Sequence, residues 1–305
     1  GGRGGAGARR RAWREMNGYD GAARCGVRVS GNAGTAGRSF GGGVASSEIS
    51  EHGVRGPKWA ANAAGAEGRG VRLLGDAQRF GYSVSYEDST AARLEDAETT
   101  VFNAAVPSFG PTEYTLAAEE WVPVLRPTHV VFVANVANDW FESEVPNRLR
   151  TTARDGWATA QHADLEPPSE FWGRGFLMGR SHLVFAARSV FSKVTGPTPP
   201  RVSTVDQLRE RLDELGRAPA TGTRSRLTRH LEATRRICAE HGCEVVAAAL
   251  PLDVQVYHGE WGKYRATPRD LRPTARLAAD FVADAQDLAV PAVHLPQPPR
   301  APLFG

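Results

Sequence analysis

In this 305-residue chain, the residues whose type and spacing suit them to chemistry gather just after short β-rich runs. Leu73-Leu74-Gly75-Asp76-Ala77 closes one run, Asn103-Ala104-Ala105-Val106-Pro107-Ser108-Phe109-Gly110 a second, and Val136-Ala137-Asn138-Asp139 a third. Other reactive types are scattered and read more plainly. Cys238 and Cys243 flank His241 across a helix end, but a zinc site needs a second ligand pair of comparable spacing. None is visible, so no metal is expected and the two thiols read as small core groups. Ser83, Ser85 and Ser89 read as turn and N-cap hydroxyls, and Ser181 as the cap of a helix carrying His182. His258 and His294 read as packing or surface residues. No Gly-x-Gly-x-x-Gly follows a strand and no Walker-type loop is present, so no nucleotide cofactor is expected.

The elements that must position these blocks are short β-rich runs alternating with amphipathic stretches. Strands are predicted at Val71–Leu74, Thr100–Ala105, His129–Val136, Glu244–Leu250 and Val290–Leu295. A helix opening at Pro111-Thr112 sets Leu116, Trp121, Val124 and Leu125 toward the sheet, and a basic helix runs from Arg224 to a stop at Gly242. The last helix begins after Arg272 with Pro273 in its first turn and repeats Leu277, Phe281, Ala285 and Leu288 at helical spacing. Such alternation predicts a three-layer α/β/α, doubly wound, flavodoxin-like parallel sheet with its site at the carboxyl ends of the strands.

Composition bounds the rest. The chain is 41% hydrophobic with 33 Gly and only 3 Cys, which excludes a disulfide scaffold. No run nears the ~18 apolar residues of a membrane span, and no charged, apolar and cleavable leader opens the chain, so a soluble protein without a signal peptide is expected. Residues 1–50 hold 14 Gly and 8 Arg with no Lys and 3 acids, a net charge of +5, while the remainder nets −2. That first segment reads as a disordered Gly/Arg-rich tail. Arg9, Arg10 and Arg11 beside Trp13 have the types of a nucleic-acid contact, yet the solvated-leader reading prevails and no nucleic-acid partner is expected. Over a hundred residues separate the third and fourth strands, so a cap-like insertion is expected at about 140–223 of a domain spanning 51–305.

The three strand-end blocks, in this order, resemble the SGNH (GDSL-like) hydrolases. The likeness extends to His52-Gly53-Val54-Arg55-Gly56-Pro57, where an Arg-Gly segment precedes the first strand, to Val84-Ser85-Tyr86-Glu87-Asp88-Ser89, and to Arg126-Pro127-Thr128-His129. The resemblance implies hydrolysis of acyl esters, of carbohydrates or lipids, by a serine in the first block. It implies an oxyanion hole made by that residue's N–H, a glycine N–H in the second block and the Asn138 amide, with a late Asp-x-x-His pair as orienter and base.

Three departures qualify that expectation. The nucleophile position is Ala77, whose methyl group has neither lone pair nor removable proton. The glycine position is Ser108, which keeps its N–H but adds a side chain where backbone approach is close. The sequence reaches Pro302-Leu303-Phe304-Gly305 without an Asp-x-x-His pair, so base and orienter are absent and the domain is expected to be incomplete at its carboxyl end. The expectation is therefore an acylhydrolase lineage, catalytically silent in this chain, whose partner is a small-molecule or glycan acyl ester. The alternative is a noncatalytic binding protein on the same fold, and an Ala77 introduced into an active parent would give the same sequence.

Overall fold

The computed structural model describes residues 19–22, 24, 26–29, 36–40, 43–47, 49–50, 53–56, 69–81, 84–135, 138–143, 145–154, 157–160, 226–257, 259, 261 and 270–294. Two antiparallel hairpins come first: β1 (Tyr19–Ala22) with β2 (Gly26–Val29), and β3 (Ala36–Phe40) with β4 (Gly43–Ser47). Where the expected leader is described it is thus mostly strand, not coil. Its Gly-rich composition conceals short Val- and Phe-bearing runs whose backbone groups satisfy one another across a turn.

The central sheet has five parallel strands: β5 (Arg69–Leu74), β6 (Thr99–Asn103), β7 (His129–Asn135), β10 (Glu244–Leu250) and β11 (Ala292–His294), in the order β11-β10-β7-β5-β6. Two short helices, α1 (Ala77–Phe80) and α2 (Thr90–Leu94), link β5 to β6, and α3 (Pro111–Leu125) links β6 to β7. After β7 come α4 (Asp139–Glu142), α5 (Asn147–Arg150) and a hairpin of β8 (Thr151–Arg154) with β9 (Trp157–Ala160). Beyond it α6 (Arg226–His241), α7 (Asp253–Val256) and α8 (Arg272–Asp287) complete the layers. Most of the expected insertion, with His182, lies outside the described residues, as do Ser83 and His258.

Alternation along β5 divides the core. Leu74 joins Phe102, Val130 and Phe132 on the face covered by α3, α6 and α8, while Leu73 joins Val101 and Ala91 of α2 on the other. The fold is a three-layer α/β/α parallel sheet. Phe132 lies edge-on to Tyr114 of α3 and tilted against Phe281 of α8, so aromatic contacts bind two helices to one strand.

β5 and β6 begin at Arg69 and Thr99, slightly before the expected Val71 and Thr100, and three further boundaries and one face differ from expectation. β6 stops at Asn103 because, after one more ladder bond from Ala104 N to Leu73 O, the Asn103 side chain takes the Ala105 N–H at 3.2 Å. β7 ends at Asn135, whose N–H is taken by the Asp139 carboxylate. β11 starts later than Val290 because that residue closes the end of α8, donating to Ala285 O past Ala289 at φ 56°. The buried face of α3 is Tyr114, Ala117, Ala118, Val122 and Leu125; Leu116 and Trp121 flank it, and Val124 is 64% exposed.

Candidate functional site

The strand order places β5 between β6 and β7, so the three blocks leave adjacent strands at one end of the sheet. The first block is tied to both neighbours. Gly75 O accepts from Val106 N at 3.2 Å, fastening the second block. Asp76 is the N-cap of α1, accepting from Gln78 N at 3.0 Å, and its other oxygen accepts from Asn135 Nδ2 at the end of β7 at 2.7 Å. Behind α1, the buried Arg55 guanidinium donates to the carbonyls of Phe80, Gly81 and Val84 and lies over the Phe80 ring. The Arg-Gly segment therefore closes the carboxyl end of the helix that carries position 77.

In the second block Ser108 has φ 73°, a left-handed conformation that costs a side-chain-bearing residue about 1–2 kcal/mol. This is the conformation a glycine would supply without strain. Gly110 then begins α3 in extended conformation, its N–H donated to Glu113 Oε2, while Glu113 Oε1 accepts from Asn147 N. Burial raises the Glu113 pKa, and these two N–H groups oppose the rise. A Cβ at Gly110 would meet Glu142 Cβ at 2.9 Å, so the absence of a side chain lets α4 approach.

The third block is a turn whose polar groups are largely turned inward. Asp139 is fully buried, accepting from Asn135 N at 2.8 Å and from the Tyr114 hydroxyl at 3.2 Å. Burial, then the charges of Asp76 and Glu142, hold its pKa well above the usual carboxylate range. Asn138 donates through Nδ2 to Glu142 Oε2 at 2.7 Å; Glu142 Oε1 accepts from Arg150, which also donates to Ser108 O at 3.2 Å. A chain of contacts thus runs from Asn138 to Ser108.

Some backbone donors lie outside this saturation, two of them at the ends of neighbouring strands. The N–H groups of Ala77 and Ser108 have no acceptor among the described residues. Two N–H groups at adjacent strand ends can receive an anion or a polarised carbonyl oxygen. The side chain at 77 is a methyl group, with neither lone pair nor removable proton. Ser85 and Ser89 are turn and cap groups, bonded to Asp88 and to Ala92 N. His294 ends the edge strand β11 and is exposed.

Asn135, Tyr114 and Glu142 were not expected from sequence as part of this region. The legible signal was Asn135, a carboxamide closing an otherwise apolar strand, where its side chain must find a partner.

No family model matches the chain, and no curated protein matches it. Among solved structures it is similar to TesA, at 10% identity over 73% of this chain and 77% of that one, with a TM-score of 0.33. It is also similar to the psychrotrophic esterase EstA from Pseudoalteromonas sp., solved inhibited by monoethylphosphonate, at 9% identity over 74% and 77%, with a TM-score of 0.34. Likeness at that level carries no chemistry from those proteins to this one. The chain's own coordinates establish a three-layer α/β/α fold with three polar blocks at neighbouring strand ends.

Proposed function

We propose that the chain is an acyl-ester-binding protein of SGNH hydrolase lineage, which holds the ester of a small molecule or glycan without cleaving it. The observation that supports this reading best is the pair of unpartnered N–H groups at Ala77 and Ser108, beside Asn138, on adjacent strand ends. The left-handed φ of Ser108 adds support, since it keeps a glycine-like backbone where a bulkier conformation would turn the N–H away. A hydrolytic reading needs an activated hydroxyl at 77, and a methyl group supplies none.

The test is a titration of the full chain with a short alkyl phosphonate, whose anionic oxygens mimic a tetrahedral acyl intermediate, followed by amide chemical shifts. Saturable shifts at the Ala77 and Ser108 N–H groups are expected; unchanged shifts at both overturn the reading. With a short activated acyl ester the chain is expected to show no turnover above a buffer blank. A rate of ~1 s⁻¹ or more would assign a nucleophile elsewhere in the chain. Ala77→Ser alone is expected to stay at the blank, because a neutral serine hydroxyl remains a weak nucleophile until an imidazole takes its proton.

A further inference from the structure

Away from the strand ends, one buried group is conspicuously underused. Arg72, in β5 between β6 and β7, has no solvent exposure, and its guanidinium lies over the rings of Phe102 and Trp121. Nη2 donates to Ala117 O, but Nε and Nη1 have no hydrogen-bond partner among the described residues. Burial drives its pKa well below the ordinary value, and Glu120, then Cys238 and Cys243, are the groups that oppose that fall. A buried guanidinium with two idle donors is costly unless an anion compensates it.

The two cysteines meet for a local reason. Gly242, at φ 74°, ends α6, and Cys243 N donates to Cys238 O at 2.9 Å, the six-to-one bond of a left-handed helix cap. That motif brings the side chains of its first and last residues together, and here both are free thiols. Cys238 is 1% exposed and Cys243 8%, while the Cβ direction of Gly242 opens onto free space, so the cap is reachable by a small oxidant from its Cys243 side.

We propose that Cys238 and Cys243 are a redox-active dithiol, served by the buried Arg72, which a peroxide converts to an intrachain disulfide. Cys243, the more exposed of the two, is the attacking sulfur. The Cys238 thiol beside it lowers its pKa; burial opposes that, and the Arg72 charge acts in the same direction as the thiol. The Cys243 thiolate attacks one peroxide oxygen: an S–O bond forms, the O–O bond breaks, and hydroxide leaves as water. The Cys238 sulfur then attacks the Cys243 sulfenic acid, forming S–S, breaking S–O and releasing a second water. Two thiols lose two electrons and two protons to one peroxide. The cap closes covalently at the start of β10, the end of the sheet opposite the proposed acyl site, so the two readings succeed or fail independently.

The experiment treats the full folded chain with a small excess of hydrogen peroxide, alkylates free thiols, and maps peptides without reduction. A Cys238–Cys243 linkage is expected, with Cys25 alkylated. Linkage to Cys25, or both cap thiols remaining alkylatable while the peroxide is consumed, overturns the proposal. Cys238→Ser is expected to stop at the sulfenic acid on Cys243, trapped by a cyclic dione; no adduct there overturns the assignment of the attacking sulfur. Arg72→Met is expected to slow alkylation of Cys243 about tenfold or more, the effect of one pKa unit on thiolate fraction. An unchanged rate in that variant, folded by circular dichroism, removes Arg72 from the site. If Arg72→Met does not fold, Arg72→Lys, which keeps the positive charge, is expected to leave Cys243 alkylation near the parent rate, and a tenfold slowing in that folded variant removes the charge at 72 from the site.

Discussion

Two buried polar regions of this chain are built on opposite principles. At the carboxyl ends of β5, β6 and β7 the carboxylates Asp76, Glu113, Asp139 and Glu142 each accept from named N–H or O–H groups, so the carboxylate network is closed, although Arg79 Nε beside it has no partner among the described residues. Around Arg72 the reverse holds, with a full charge placed in the core and two of its donors left idle. The first arrangement is architecture: it fixes three loops so that two backbone N–H groups remain available. The second is poised chemistry, because a buried charge with idle donors makes the protonation and oxidation state of its neighbours matter.

If closure is what makes the first region architectural, opening it must cost the fold heavily. Asp139→Ala strands the Tyr114 hydroxyl and the Asn135 N–H in the core together, and the expected loss is about 3–5 kcal/mol. Urea unfolding followed by circular dichroism reads it as a lower midpoint at unchanged slope. A loss below ~1 kcal/mol would mean that water satisfies both groups and that the network is not closed. Gly110→Ala attacks the same region sterically, since the new methyl meets Glu142 Cβ, and an overpacking loss of about 1–3 kcal/mol is expected in the same assay.

The sequence carried the scaffold well and the network poorly. Strand positions were legible because β7 and β10 are apolar runs bounded by turn residues, and the ends of α6 and α8 because Gly242 and Pro273 punctuate them. The positions of Ala77, Ser108 and Asn138 at neighbouring strand ends followed from the blocks that carried the family resemblance. The partners did not. Asn135 and Asp76 are 59 residues apart and Tyr114 and Asp139 25 apart, and such pairings are fixed by sheet order, which no local pattern encodes. Arg72 was equally opaque, because a charged residue in a strand reads as an edge or solvent-facing position until the helices covering it are known. The strands at 19–47 escaped notice because Gly-rich composition masks backbone pairing.

The closed network also carries a pH signature. The Asp139 pKa is raised in the folded chain above its unfolded value, so the folded state holds a proton that the unfolded state has released. Stability therefore falls as pH rises from the ordinary carboxylate value toward the folded one, by at most ~1.4 kcal/mol per pH unit, and is greatest below both. Asp139→Asn removes this titration, and the difference in stability between the two chains is expected to shift in favour of the variant as pH rises above ~4. A difference that is flat with pH would show Asp139 ionised throughout, held so by Asn135 N and Tyr114 OH.

The smallest expected effect sharpens the comparison most, because it separates architecture from site within one residue. Ser108 sits at φ 73°, where a Cβ crowds its own carbonyl, and its hydroxyl does no more than donate to the neighbouring Pro107 O. Ser108→Gly relieves the crowding but gives the unfolded chain more conformations to lose, so the two terms oppose. The relief is the larger, and a net gain of about 0.5–1 kcal/mol is expected in urea unfolding. The N–H is retained by the substitution, so phosphonate titration of Ser108→Gly is expected to give shifts at positions 77 and 108 at least as large as those of the parent. Greater stability with lost binding would mean that the serine hydroxyl, not the backbone, receives the ligand, and the second block would then be a side-chain site rather than a backbone one.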